Sequence, residues 1–371
     1  MGACDWTSPA TIPEHSEPEN ELSGVFHPQE NHLQKRQSLE TSAKYGIFPF
    51  DPSQSQIVVP SLVDGVASPT GWHKVSGKES LTTSGNNVVA EAPSASQPSN
   101  SSLAFVYSVD DKKQNPGAYT PASITNAFVL TNIFHDMLFH YGFTPATGNF
   151  QQESFGQGRP DGDNDAIRVV VQDGARKNNA VFASAPDGKP GVMRLFLFDQ
   201  TSPQRDSALD SRIVVCLFFQ YLKLTFKVHE LMHGVSNRLT GGAGNNNCLK
   251  EGISKGMSEG WSDMMALMFT LTSTDTRVTD QYIGAYASGK SAGIRSAPYS
   301  TNLTRNPYTY QSIEEKGLQP HSIGEIWTSI LYEVYWDLVD KYGFSSNLRD
   351  ESKSGKGNTM FVSVFQKTIS F

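Results

Sequence analysis

The stretch His229-Glu230-Leu231-Met232-His233 decides how the second half of this chain folds. Residues four apart on an α-helix lie on one face, so both imidazoles can reach a single ion. Glu230, beside the first histidine, then faces the open side of that ion, where a water can sit. This arrangement is typical of a zinc hydrolase, in which one metal position stays free for solvent or substrate. The alternative is a surface helix that carries two polar residues.

Two carboxylates follow in Gly256-Met257-Ser258-Glu259-Gly260-Trp261-Ser262-Asp263, after room for one turn and a returning helix. Glu259 and Asp263 again share a helix face. We predict that the metal ligands are His229, His233 and Glu259. Asp263 is predicted to orient His229, because metal-binding imidazoles usually donate their second N–H to a carboxylate. An acidic helix start is the alternative, but it leaves the preceding histidines unexplained.

With these residues the sequence resembles the fungalysin family, which are secreted fungal zinc metalloendopeptidases related to thermolysin. The segments that carry the resemblance near the metal motif are 229–242, 247–249 and 256–263. Further similar segments are 66–73, 85–88, 124–143, 148–151, 178–188 and 321–327, so the match covers about residues 40 to 365.

The resemblance implies an α+β fold of the thermolysin type, with a β-rich N-terminal lobe, a mainly α-helical C-terminal lobe and zinc in the cleft between them. We therefore expect lobes at 37–228 and 229–371, after a disordered segment or propeptide remnant at 1–36. Hydrophobic spacing predicts helices over 120–143, 229–242, 258–270 and 323–342, and strands over 166–171 and 193–198.

For the mechanism, Glu230 is the predicted general base, which takes a proton from the attacking water and delivers it to the leaving amine. By resemblance, His321 donates a hydrogen bond to the oxyanion of the tetrahedral intermediate. A helix-start histidine without a catalytic role is the alternative. The resemblance also places Asn179 and Ala180 on an edge strand that holds an extended peptide substrate. We expect one catalytic Zn²⁺, protein or peptide substrates and a monomer.

The composition disfavours several other partners. Charged residues make up 18% of the chain, the formal net charge is −7 and the pI is about 5.7. Nucleic acids and anionic membranes need basic patches, so neither is an expected partner. The acidic run 161–165 lacks the glycine and glutamate of an EF-hand, which favours a solvated turn over a Ca²⁺ site. His135 and His140 are interpreted as core or surface histidines.

Two departures from the family pattern affect what we expect of this chain. The apolar segment 215–227 is an anomalous insert, which we interpret as a retained intron; a real apolar strand is the alternative. With two lysines it is too short for a comfortable membrane span of about 20 residues. The chain also stops soon after 355–359, where the family continues, so Cys248 is expected to lack its usual partner.

The N-terminus carries no secretory signal, since residues 1–20 have no apolar core and no basic start. We expect an N-terminally and C-terminally incomplete form of an extracellular enzyme, without the signal and inhibitory propeptide that the resemblance implies. The leading hypothesis is a zinc endopeptidase. An inactive fragment and a zinc aminopeptidase are the alternatives. A purely structural zinc site is disfavoured, because such sites use four protein ligands and favour cysteine.

Overall fold

A computed structural model of the chain describes residues 42–48, 56–210, 226–349 and 354–370, together with Glu40 and Ser352. The predicted segment 1–36 and residues 215–225 of the predicted insert lie outside the described residues. The fold is mixed α/β.

All strands of the described chain lie before residue 207 and are short. Their bounds are β1 Lys44–Ile47, β2 Ile57–Pro60, β3 Lys74–Val75, β4 Lys78–Glu79, β5 Val88–Glu91, β6 Ala104–Phe105, β7 Ile167–Val170, β8 Ala180–Ala183, β9 Val192–Leu195, β10 Leu197–Phe198 and β11 Arg205–Asp206. The predicted strand at 166–171 is thus confirmed within one residue, whereas the one predicted at 193–198 is divided into β9 and β10, which belong to different sheets.

The largest sheet has the strand order β5-β7-β9-β8. β7 is parallel to both β5 and β9, whereas β8 runs antiparallel to β9 and forms one edge of the sheet. A second sheet has the order β2-β1-β6. Among the described strands β8 pairs only with β9, so its outer backbone groups can pair with another extended chain.

Helix α1 (Thr120–Phe139) fills the space beside β1 and β5. It is buried on nearly every side, so its polar residues need internal partners. Asp136 accepts a hydrogen bond from Trp72 Nε1 (2.8 Å) and lies 3.1 Å from His135 Nδ1. His140 Nε2 lies 2.7 Å from Asp64 Oδ2. His135 is buried and His140 is half-buried, in line with their interpretation as core or surface histidines.

The remaining helices follow residue 225. They are α2 Phe226–Leu239, α3 Gly252–Met268, α4 Ala285–Ser288, α5 Ser312–Lys316, α6 Pro320–Tyr342 and α7 Gly357–Thr368. α3 packs between α2 and α6, and α7 packs on α6. Lys227, the last residue of the predicted insert, is a buried residue of α2. None of the described helices is long and apolar enough to cross a bilayer.

Helix α3 begins at Gly252, earlier than the predicted start at residue 258. Glycine lowers helix propensity, so the glycines at 252 and 256 obscured the first turn in the sequence. Their small size has a structural use: a Cβ on Gly256 would lie 2.4 Å from Ile323 Cβ, and one on Gly260 would lie 2.9 Å from the Gly324 oxygen. α3 and α6 therefore approach closely in front of the predicted site.

One further expectation is corrected, and a second is left open. Asp165 is fully buried beside Arg238, so the acidic run 161–165 is not simply a solvated turn. Its burial follows from the arginine, because a buried carboxylate is stable next to a cation. Cys248 is disulfide-bonded. The expectation that it lacks its usual family partner stays a prediction.

Candidate metal centre

The three predicted ligands come together at the crossing of α2 and α3. His229 and His233 lie one turn apart on α2, and Glu259 faces them from α3. The Nε2 atoms of the two histidines are 3.2 Å apart. Glu259 Oε2 lies 3.3 Å from the first and 3.6 Å from the second. One potential ligand atom from each residue thus lies within 4.8 Å of the other two.

The hydrogen bonds of these two rings show why the site suits a cation. His229 Nδ1 lies 2.8 Å from Asp263 Oδ1, and His233 Nδ1 lies 3.0 Å from Ser258 Oγ. If each Nδ1 carries the proton for its partner, both Nε2 atoms present lone pairs to the same point. Glu259 Oε2 is buried and points to the same place. Three convergent electron pairs without a proton between them repel one another, and a divalent ion removes that repulsion.

The pKa values show that, without a metal, a proton meets the same preference for positive charge. Burial lowers the pKa of His229, but hydrogen bonds to Asp263 and Glu259 raise it to about 10. Burial raises the pKa of Glu259, yet the two histidines hold it well below its usual value. Both shifts mean that the protein stabilises positive charge between these side chains.

Asp263 is held by more than His229. Arg295 donates from Nε to Oδ2 (2.7 Å) and from its second terminal nitrogen to Oδ1 (2.8 Å), and the Tyr299 hydroxyl also donates to Oδ2. All of these groups are almost completely buried. The carboxylate is therefore fixed from three directions, which fixes the ring of His229 in turn.

Glu230 is buried beside the two histidines, and burial raises the pKa of its carboxyl group. Among the residues that the structure describes, none donates a hydrogen bond to this carboxylate or forms an ion pair with it. The group lines an open cleft of about 420 Å³. It is therefore free to exchange a proton with a molecule bound in the cleft.

His321 reaches the cleft from the second position of α6. Its side chain is 63% exposed, and its Nε2 lies 3.3 Å from Glu259 Oε2. Partial loss of hydration at the cleft lowers the pKa of His321, although most of its side chain stays exposed. The imidazole thus stands at the mouth of the site, where it can contact a bound molecule.

The edge strand β8 forms the opposite wall of the cleft. Asn179 precedes it and is exposed, with its Oδ1 accepting the Ala180 N–H at 2.9 Å. The side-chain NH2 group of Asn179 has no partner within the described part of the chain. Ala180 itself is buried. A Cβ on Gly234 of α2 would lie 2.6 Å from the Phe182 ring, so the glycine allows β8 to pack closely against α2.

The matching family model is that of the fungalysin metallopeptidases (M36), and it covers residues 44–371. This chain belongs to the fungalysin family. The resemblance predicted from the sequence is thereby confirmed, and the family is one of metallopeptidases.

Curated relatives agree with this assignment. The chain is 41% identical over 302 residues to extracellular metalloproteinase mep of Aspergillus fumigatus, covering 79% of this chain and 45% of the relative. It is 39% identical over 328 residues to extracellular metalloproteinase 2 of Trichophyton tonsurans, covering 85% and 49% respectively. Extracellular metalloproteinase 2 of Arthroderma otae is 39% identical over 329 residues, covering 85% of this chain and 49% of the relative. The chain spans about half the length of the curated relatives it matches.

Several contacts of this fungalysin site were not foreseen from the sequence. Ser262 Oγ also lies near His233 Nδ1, at 3.3 Å, so serines rather than a carboxylate hold that ring. Ser258 and Ser262 lie within the quoted carboxylate segment, and their spacing was the available signal. Arg295 and Tyr299 lie in a loop after α4, and no local pattern links them to Asp263.

Arg238 was also missed. This residue of α2 is 1% exposed and lies over the Phe150 ring, with its Cζ 4.3 Å from the ring centroid. It donates to the Ala185 oxygen (2.7 Å), to Asp165 Oδ2 (2.9 Å) and to Asp187 Oδ1 (3.0 Å). The loop after β8 is therefore tied to the helix that carries the histidines.

Proposed function

We propose that this chain is a secreted zinc endopeptidase with its catalytic ion in the cleft between a β-rich and an α-helical lobe. The observation that carries the proposal is the convergence of His229, His233 and Glu259 next to an unpartnered Glu230 in an open cleft. A structural zinc site would be closed by four protein ligands, whereas three converge here. The names of the relatives support secretion.

His229, His233 and Glu259 would hold the ion, and the buried Glu259 Oε2, which lies within 3.6 Å of both histidine Nε2 atoms, fits this role. Zinc bound there supplies a Lewis acid that polarises the scissile carbonyl and lowers the pKa of a water. Asp263 keeps the proton on Nδ1 of His229, so that Nε2 stays free for the ion.

Glu230 acts as the general base and then as the general acid. Burial raises the pKa of its carboxyl group, which makes the carboxylate a better proton acceptor than an exposed one. It takes the proton of the water that attacks the peptide carbon, and it releases that proton to the amine that leaves. His321 donates a hydrogen bond from its ring to the oxygen that becomes negative.

The substrate is an extended peptide that pairs with the outer edge of β8. Antiparallel or parallel addition to a free edge supplies backbone hydrogen bonds at regular spacing. The side-chain amide of Asn179 donates to a carbonyl of the same peptide. This binding mode needs no free terminal amine, so it favours an endopeptidase over an aminopeptidase. The cleft lies within one chain, so a monomer suffices.

The decisive test is the Glu230→Gln variant, with Glu314→Gln on exposed helix α5 as the matched control. We expect the first to keep zinc binding and to lose about 10²- to 10⁴-fold in hydrolysis of casein and of an N-terminally blocked peptide. The control variant should keep zinc binding and wild-type hydrolysis of both substrates. Chelation should abolish the wild-type activity and added zinc should restore it. Near-normal turnover by Glu230→Gln, or cleavage only of peptides with a free amine, would refute the proposal.

A further inference from the structure

We propose that Lys250 and Lys255 make this cleft select peptides with an acidic side chain on one side of the scissile bond. The inference deepens the proposed peptidase function and rests on it. Both lysines line the cleft, both are exposed, and neither takes part in the catalytic geometry described above.

The two helices of the site give the cleft a direction. His233 contacts Ser258, which precedes Glu259, whereas the earlier His229 contacts Asp263, which follows it. α2 and α3 therefore run antiparallel across the site. Residues that follow His233 on α2 and residues that precede Ser258 on α3 lie at the same end.

That end, which we call the His233 end, is lined by Asn237, Leu249, Lys250 and Lys255. Lys255 precedes Glu259 by one helical turn, which is about 6 Å along the helix axis. It shares a helix face with Glu259, and so it points toward the same cleft. Lys250 lies just before α3, and its Nζ donates to Asn247 Oδ1 at 2.7 Å.

The charges of the cleft do not balance at this end. Among the residues that line it, the acidic side chains are Glu230 and Glu259, which a divalent ion offsets formally. Arg295 is neutralised by Asp263. Within the described residues neither Lys250 nor Lys255 forms an ion pair, and the nearest acidic residue in the chain, Glu251, does not line the cleft.

The chain as a whole carries a formal net charge of −7, so this pair of cations is a local exception on an acidic protein. A peptide carboxylate that reaches the His233 end gains two attractive interactions, whereas a lysine there meets two like charges. Exposed ion pairs contribute only weakly in water, so we expect the two lysines together to give roughly a three- to tenfold preference.

The test uses the 371-residue chain with zinc and a set of quenched fluorescent peptides. One residue at a time, on each side of the scissile bond, is Glu, Gln or Lys. We expect kcat/KM to be about three- to tenfold higher for Glu than for Gln at positions on one side only. The preference should be lower at 1 M than at 0.1 M salt, because the screening length falls from about 10 Å to about 3 Å.

The test variant carries both Lys250→Glu and Lys255→Glu. It should reverse the preference, so that kcat/KM is higher for Lys peptides than for Glu peptides. Lys112→Glu, on an exposed loop outside the cleft, is the matched control and should keep the wild-type order. Binding gives a second readout: on Glu230→Gln, the Kd from fluorescence anisotropy should favour Glu over Gln peptides by a similar factor.

Equal rates and equal Kd values for Glu and Gln peptides would overturn this inference while leaving the peptidase proposal intact. A preference that the Lys112→Glu control removes as completely as the double variant does would overturn it as well. If no peptide is cleaved, the peptidase proposal fails, and the anisotropy ratio still decides the role of the lysines.

Discussion

A Cβ atom on Gly324 of α6 would lie 2.6 Å from the Cβ of Glu259 on α3. The position of this ligand therefore depends on a glycine on another helix. Thr328 reinforces the contact, since its hydroxyl donates to the Gly260 oxygen at 2.9 Å. We expect Gly324→Ala to force the helices apart, to weaken zinc binding at least about tenfold and to cost about 1–3 kcal/mol of stability.

A competition titration with a chromophoric chelator measures the zinc affinity, and urea unfolding measures the stability. Gly65→Ala is the matched control, because a Cβ there meets no atom within 4 Å. An unchanged zinc Kd in Gly324→Ala would show that α3 is not positioned by this contact.

Asp263→Asn tests the support of His229. The variant keeps an oxygen for the histidine N–H but removes the charge that pairs with buried Arg295. We expect zinc affinity to fall about 10- to 100-fold and stability to fall by about 3–5 kcal/mol. Asp280→Asn, which disrupts the more exposed pair with Arg305, should change stability by less than about 1 kcal/mol. Equal losses in the two variants would contradict the special role of Asp263.

The sequence predicted the parts of the site that depend on local periodicity. His229 and His233 share a face because they are four residues apart, and α1 was recognisable from its apolar spacing. The contact of His229 with Asp263 was also foreseen, because a histidine ligand needs an acceptor for its second N–H.

Other features depend on residues that are far apart in the chain, and the sequence alone did not reveal them. Arg295 approaches Asp263 only because the loop after α4 returns to α3. The burial of Asp165 depends on Arg238, a residue of another element. The mixed order β5-β7-β9-β8 also depends on pairings that no short stretch encodes.

Arg238→Met should be strongly destabilising, and more so at neutral than at acidic pH. Burial raises the pKa of Asp165 to about 6, although Arg238 acts to lower it. Without the arginine the pKa rises further, so ionising Asp165 in the folded state costs more as the pH increases. We expect a loss of about 3–5 kcal/mol at pH 7.5 and a smaller loss at pH 5. Denaturant unfolding of the variant and the wild type at both pH values measures this loss of unfolding free energy.

The control for this prediction is Arg305→Met, which removes an exposed arginine paired with Asp280. It should leave the stability almost unchanged at either pH. A loss for Arg238→Met that does not depend on pH would mean that Asp165 does not govern the effect.

His73 should make the folded state sensitive to acid. The ring is 2% exposed, lies 2.8 Å from the Thr82 oxygen and 2.9 Å from the Tyr45 hydroxyl, and stacks on Phe105. Burial lowers the pKa of His73 from 6.5 to about 4. Protonation therefore favours the unfolded chain, and stability falls as the pH drops from 6.5 toward 4. By pH 5 the loss from this group is about 2 kcal/mol.

His73→Gln should be less stable than the wild type at pH 7.5 but should lack this part of the acid slope. Phe105→Leu is the matched control, since it removes packing against the same ring and keeps the titrating group. Glu40, whose pKa burial raises to about 7, titrates in both variants, so the difference between their slopes isolates His73. Unfolding free energies measured in urea from pH 7.5 to pH 5 give both slopes. If His73→Gln keeps the wild-type slope, the ring is protonated in the folded state and the neutral assignment is wrong.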